Sequence, residues 1–147
     1  MFSTRAFRSI QAADVEYFRS LLQPGQIVVD KADLAVYNQD WTKKMRGHSE
    51  LLLQPKTTQE VSAILKYCNE NLLAVTPQGG STGLVGGNVP TSDEIILSTS
   101  KLNRVLSFDS PQGVLRAEAG CVLHDLQEYA RAFGAELPLD LGARGSC

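Results

Sequence analysis

The 147 residues are 43% hydrophobic and 20% charged, with a formal net charge of -2. That supplies apolar material for one packed core and argues against disorder. Acids and bases are interleaved, so there is no dense basic patch of the kind that grips nucleic acid or an anionic membrane, and no apolar run approaches a membrane span.

In chain order, Met1 to Ala13 carries Arg5 and Arg8 and no acid. It reads either as the tail of a mitochondrial presequence or as a frayed, solvated terminus. Ala12 to Leu22 places Val15, Phe18, Leu21 and Leu22 on one face and predicts a helix, ended by Pro24-Gly25. Ile27 to Val29 is expected as a strand or extended arm, and Lys31 to Tyr37 as a helical turn. Leu51, Leu52 and Leu53 form a continuous apolar run, consistent with a buried strand, closed by Pro55.

Thr57 and Glu60 have the spacing of a capping box, and Val61, Ile64, Leu65 and Cys68 mark one face of a helix reaching Glu70. Leu73 to Thr76 is the next strand. Strand, helix and strand within roughly thirty residues form a βαβ unit, whose strands run parallel. A glycine-rich loop is expected from Pro77 to Pro90, then a strand over Glu94 to Ser98. Val105 to Phe108 and Val114 to Ala117 flank the turn Ser110-Pro111-Gln112-Gly113. Val122 to Phe133 predicts an amphipathic helix stopped by Gly134, and Leu137 to Cys147 reads as loop.

The glycine loop is the informative segment. Five of the nine residues from Gly79 to Gly87 are glycine. Such a loop lets the backbone approach a ligand, and its successive N–H groups can form an anion-binding nest. Ser81 and Thr82 add hydroxyl donors. The glycine spacing fits neither G-x-G-x-x-G nor G-x-x-x-x-G-K-[ST], which excludes the commoner dinucleotide and nucleotide loops. The bland alternative is a flexible turn. Linkers of that kind avoid apolar residues, however, and this loop holds Leu84 and Val85 at its centre.

At these residues the sequence resembles a known family. Pro77 to Pro90, PQGGSTGLVGGNVP, is similar to the pyrophosphate loop of the vanillyl-alcohol-oxidase-type FAD domain. Tyr37 to Gly47 (YNQDW, KKMRG), LLLQPKTTQEVSAILKYCNE, and LPLDLGARGSC (Leu137 to Cys147) resemble D-2-hydroxyglutarate dehydrogenases. The resemblance runs from about Phe7 to the end of the chain, and the last segment is the most specific to this branch.

The resemblance implies an α+β fold: a βαβ unit with a small mixed sheet carrying helices on one side, incomplete at its C-terminus. It divides the chain into a helical arm over residues 1–45 and a partial FAD-binding domain over 46–147, with the substrate domain absent. It implies FAD held by Pro77, Gly79, Gly80, Ser81, Thr82, Gly83, Gly87 and Asn88 around the diphosphate. Pro138, Leu139, Asp140, Gly142, Gly145 and Ser146 would lie along the ribityl and isoalloxazine part. Where some relatives carry a histidine that links FAD covalently, this sequence has Ser81, so non-covalent FAD is expected.

The implied activity is oxidation of D-2-hydroxyglutarate to the 2-oxo acid, with a flavin-linked electron acceptor, in the mitochondrial matrix. D-lactate or glycolate are the alternatives within the family. A non-enzymatic nucleotide-binding or regulatory module is the alternative outside it. No catalytic or metal residue is expected in this chain, because His48 and His124 are far apart and the family's substrate-binding and metal residues follow this region.

Trp41 is expected as a packing anchor, Lys43, Lys44 and Arg46 as a solvated cluster, and His124 as a surface residue. The three cysteines, Cys68, Cys121 and Cys147, form no CxxC pair. Cys68 reads as an inert core thiol and Cys147 as an exposed one.

Overall fold

The structure is a computed structural model describing residues 6–147; Arg5 and the start of the presequence reading lie outside the described residues. Helix α1, Ala12–Leu21, begins where the Asp14 carboxylate accepts the Gln11 N–H at 2.8 Å, satisfying one of the donors that a helix start leaves free. A short 3-10 turn, Pro24–Gln26, follows and leads into β1, Ile27–Val28. Helix α2, Lys31–Leu34, is a single turn capped by Asp30, whose carboxylate accepts from the N–H groups of Ala32 and Asp33.

Strand β2, Leu52–Leu53, leads into α3, Thr58–Glu70. The expected capping box forms by half. The Thr57 hydroxyl accepts the Glu60 N–H at 3.1 Å, but the Glu60 carboxylate turns to Lys56 N and Gln26 Nε2 instead of back to Thr57. Strands β3, Val75–Gln78, and β4, Ile95–Ser98, complete the main sheet. Its order is β1-β2-β4-β3, with β1 antiparallel to β2 and the other three strands parallel. The two strands of the βαβ unit are parallel as expected, but they are not neighbours, because β4 inserts between them.

That placement explains Pro77. It is expected at the start of the loop but lies inside β3, opposite Leu97. Strand β3 is at the edge of the sheet, where a missing N–H costs no ladder bond. The glycine loop therefore starts at Gly79.

Alternation along the short strands fills two apolar layers. Leu51, Leu53, Ile95 and Leu97 pack with Phe18 from α1, Leu22 just after it, and Ile64 and Cys68 from α3. Leu52 and Ile96, cross-strand partners, face the other way and meet Leu34 of α2 with Val28 and Tyr37. Helices thus cover both faces rather than the single face expected. Parallel strands buried on both sides need a cover on each, and one turn of helix with Tyr37 supplies the second.

Strands β5, Val105–Asp109, and β6, Val114–Ala117, form a separate antiparallel hairpin. Arg104 and Glu118 close its base with a 2.7 Å ion pair. Helix α4, Leu123–Arg131, is followed by Phe133, whose ring meets that of Phe108 on the hairpin with centroids 5.4 Å apart. No helix among the described residues is long and apolar enough to cross a membrane.

Candidate functional site: a crevice at the ends of parallel strands

Strands β3 and β4 finish side by side, at the paired residues Gln78 and Ser98. The chain leaves one as Gly79 and the other as Thr99, and Thr99 N donates to Gln78 O at 2.9 Å. A crevice outside the carboxyl ends of parallel strands is the usual ligand position in open α/β sheets. Here its walls come from two further segments. A Cβ built on Gly120 would lie 1.8 Å from the Thr99 carbonyl oxygen, so the turn before α4 packs backbone to backbone on the turn after β4. A Cβ built on Gly80 would lie 1.7 Å from the Ser146 carbonyl oxygen, so the C-terminal segment packs on the glycine loop in the same way. The resulting cavity is about 690 Å³ and includes Gly79, Gly80, Ser81, Thr99, Ser146 and Cys147 in its lining. That size suits part of a dinucleotide.

The Cys147 carbonyl accepts the Leu123 N–H at 2.6 Å, which caps α4 where the side chain of Val122 cannot. This overturns the expectation of an exposed terminal cysteine: Cys147 is half-buried, held at the helix start.

The fourteen residues assigned to the cofactor divide into three groups. Gly79, Gly80, Ser81 and Ser146 meet in the crevice. Thr82, Gly83, Gly87 and Asn88 continue round the loop, with Gly83 and Gly87 exposed and Pro77 held in β3. Pro138, Leu139, Asp140, Gly142 and Gly145 lie in the exposed C-terminal segment, outside the crevice lining. Gln127 Nε2 donates to the Leu139 carbonyl, and Asp140 lines a separate recess of about 280 Å³ with His124, Gln127, Arg131 and Arg144. The crevice therefore brings together the first group, and the chain-terminal group approaches it only through Ser146.

Two observations favour a ligand at the loop. The Asn88 side-chain amide is buried at both its nitrogen and its oxygen with no partner among the described residues, and so is Gln78 Oε1. Buried polar atoms of native proteins are nearly always paired, so these three mark an unsatisfied polar spot beneath the loop. Second, Ser81 has φ +53, a left-handed conformation that a non-glycine residue adopts at a cost and that clusters at ligand sites. Together with the glycine loop at the ends of parallel strands they fit a diphosphate-bearing cofactor.

Several contributors were not read from the sequence. Gln78 is 2% exposed, and its Nε2 donates to the carbonyls of Tyr37 and Asn88, both at 2.7 Å. Thr99, Asn103, Asp125 and Tyr129 also line the crevice. Their only sequence signal was position after a strand or in the first turns of a helix. Asp40, for which the sequence offered no role, organises the turn that follows it. Its carboxylate accepts from Met45 N at 2.8 Å, Thr42 N at 3.1 Å and the Thr42 hydroxyl. Those bonds, the Thr42 hydroxyl first, hold the Asp40 carboxyl below its ordinary range.

Trp41, expected to anchor packing, is 68% exposed because that turn projects it outward. Lys43, Lys44, Arg46 and His124 are exposed, and Cys68 is buried in the core. No group of three or more His, Cys, Asp or Glu among the described residues is placed to hold a metal.

A family model described as FAD binding domain matches residues 49–147. The D-2-hydroxyglutarate dehydrogenase, mitochondrial, of Danio rerio is 53% identical over 141 residues, covering 96% of this chain and 26% of that protein. A Schizosaccharomyces pombe protein named as a mitochondrial D-lactate dehydrogenase is 45% identical over 148 residues, covering 96% of this chain and 28% of that protein. The chain spans about a quarter of the length of the curated relatives it matches. Among solved structures, an alkyldihydroxyacetonephosphate synthase superposes with a TM-score of 0.83 at 16% identity, over 95% of this chain and 30% of that one. That likeness shows the fold.

Proposed function

The chain belongs to the FAD-binding-domain family, and we propose that it forms the diphosphate grip of a flavoenzyme that oxidises D-2-hydroxyglutarate to 2-oxoglutarate. The observation that carries this reading is the crevice itself, where Gly80 lies backbone to backbone with Ser146 at the carboxyl ends of β3 and β4. Gly79, Gly80, Ser81, Thr82 and Gly83 hold the diphosphate, with Gly87 and Asn88 completing the loop and Pro77 fixing its start. Backbone N–H groups and two hydroxyls give charge-assisted bonds there, each worth roughly 1.5–3 kcal/mol. Pro138, Leu139, Asp140, Gly142, Gly145 and Ser146 extend the contact toward the ribityl and flavin end.

When bound, the flavin supplies the hydride acceptor; this chain's residues bind and orient it. Ser81 has no group suited to attach the flavin, so the cofactor is held without a covalent bond. We assign no catalytic residue to the chain. We divide the chain into 1–45 and 46–147, a division supported by the start of the family match at residue 49; β1 and Phe18 of the earlier part join the main sheet and its core. The names of the relatives support a mitochondrial location, and we place the enzyme in the matrix. The substrate is a 2-hydroxy acid, with a separate electron acceptor reoxidising the flavin.

The test is a flavin titration of the purified chain, read by FAD fluorescence and gel filtration. FAD should co-elute with folded protein, ADP should compete, riboflavin should not, and denaturation should release all the flavin. A folded chain that binds neither FAD nor ADP would sink the diphosphate reading. In the holoenzyme, D-2-hydroxyglutarate should bleach the flavin faster than D-lactate; the reverse order would reassign the substrate.

A further inference from the structure

We infer that Gln78 is a positioning residue that makes the N-terminal arm part of the cofactor grip. The proposal rests on the flavin reading above and extends it to residues outside the family-matched region.

Gln78 is the last residue of β3, and its side chain turns inward beneath the loop. Its Nε2 carries two N–H donors, and two carbonyls take them: Tyr37 O and Asn88 O, both at 2.7 Å. Because both partners accept only, the amide nitrogen must face them, which fixes the orientation of the side chain. One residue therefore ties the entry of the glycine loop to its exit at Asn88, and ties both to the arm at Tyr37. Two close approaches extend the same seam. A Cβ on Gly47 would lie 2.3 Å from the Pro90 carbonyl oxygen, and one on Gly86 would lie 2.0 Å from Met45 Sδ. The segment from Tyr37 to Gly47 thus runs along the loop from Gln78 to Pro90. The remaining Gln78 oxygen is buried and unpartnered among the described residues, and so is the side-chain amide of Asn88, whose backbone carbonyl the clamp uses.

A loop of five glycines has many conformations to lose when it closes on a diphosphate. Fixing its two ends to each other removes much of that cost before the ligand arrives, which raises affinity without adding a contact to the ligand. A purely structural glutamine would stabilise the fold and leave the loop's dynamics and the flavin affinity alone.

The experiment compares wild type, Gln78→Leu and Gln78→Glu by melting, by flavin titration, and by hydrogen exchange of residues 79–88 without flavin. Gln78→Leu keeps the side chain's bulk and removes both donors. It should weaken FAD binding about tenfold and speed exchange in the loop. Gln78→Glu should bind poorly near pH 8, where a carboxylate would face two carbonyl oxygens. It should recover toward about pH 5, where a neutral carboxyl can again donate to one of them. Wild type should show no such recovery. If Gln78→Leu does not fold, the two pH values for Gln78→Glu make the comparison within one polypeptide. Wild-type affinity and wild-type loop exchange in the variants would overturn the inference. If wild type itself binds no flavin, the flavin reading fails, and the exchange data alone decide whether Gln78 holds the loop.

Discussion

The α-carbon of Gly80 faces the Ser146 carbonyl so closely that a Cβ there would lie 1.7 Å from its oxygen and 2.6 Å from its carbon. The neighbour is backbone, so it cannot swing aside as a flexible side chain would. Gly80→Ala should therefore push away the 146–147 segment, and with it the Cys147 carbonyl that caps α4. We expect a loss of about 1–2 kcal/mol, the size of a lost helix cap, and at least a tenfold drop in FAD affinity. Urea denaturation and flavin titration measure the two effects. Unchanged values in both would mean that the segment does not pack on the loop in solution.

The local elements were legible because they rest on local signals. The α3 face of Val61, Ile64 and Cys68 needs only helical spacing, though Leu65, expected on the same face, is 44% exposed, and the Leu51–Leu53 run needs only apolar character. The glycine loop was legible through its composition. What was not legible depends on residues distant in sequence. The insertion of β4 between β2 and β3 is set by which edges the layers can cover. The exposure of Trp41 follows from the Asp40 bonds that shape its turn. Gln78 looked like one more polar residue at a loop, because Tyr37 O, its partner across the arm, is unrelated in local sequence. Of the residues proposed to hold the cofactor, Gly80 and Ser146 could each be picked out in the sequence, but their contact could not.

Asp14 predicts an acid-sensitive fold. It is 1% exposed and receives two 2.7 Å bonds from Arg8 and one of 2.8 Å from the Tyr67 hydroxyl. The Arg8 bond is the largest cause holding its pKa down to about 2, from an ordinary 3.8. A carboxylate with a depressed folded pKa stabilises the fold above its unfolded pKa. That contribution, about 2 kcal/mol, is lost as pH falls from about 4 toward 2. Arg8→Met should lower the urea midpoint at pH 7 and flatten the decline between pH 4 and 2. A variant with the wild-type acid profile would show that Arg8 does not hold Asp14.

Cys68 predicts a protected thiol. It is 2% exposed in the main apolar layer, and burial pushes its pKa up to about 11. At pH 8 about one molecule in a thousand would carry the thiolate, and an alkylating reagent would still need the core to open. Iodoacetamide on the native chain, followed by peptide mass spectrometry, should label Cys147 well before Cys68. Cys68 should react only as denaturant unfolds the chain. Early labelling of Cys68 would mean that α3 separates from the sheet in the native state.

Gly86 and Met45 give a prediction with two separable parts. Gly86 has φ +70, and a Cβ there would meet Met45 Sδ at 2.0 Å. Gly86→Ala therefore carries a conformational cost of roughly 1–2 kcal/mol and a steric cost against the arm. The sulfur is part of a flexible side chain, so shortening it should relieve the second cost and leave the first. Met45→Ala alone should be mild, since Met45 is 42% exposed. The double variant should recover part of the stability lost in Gly86→Ala and remain below Met45→Ala. Strict additivity in that cycle would mean that the arm does not press on the loop. Full recovery would mean that the left-handed backbone at Gly86 is not required.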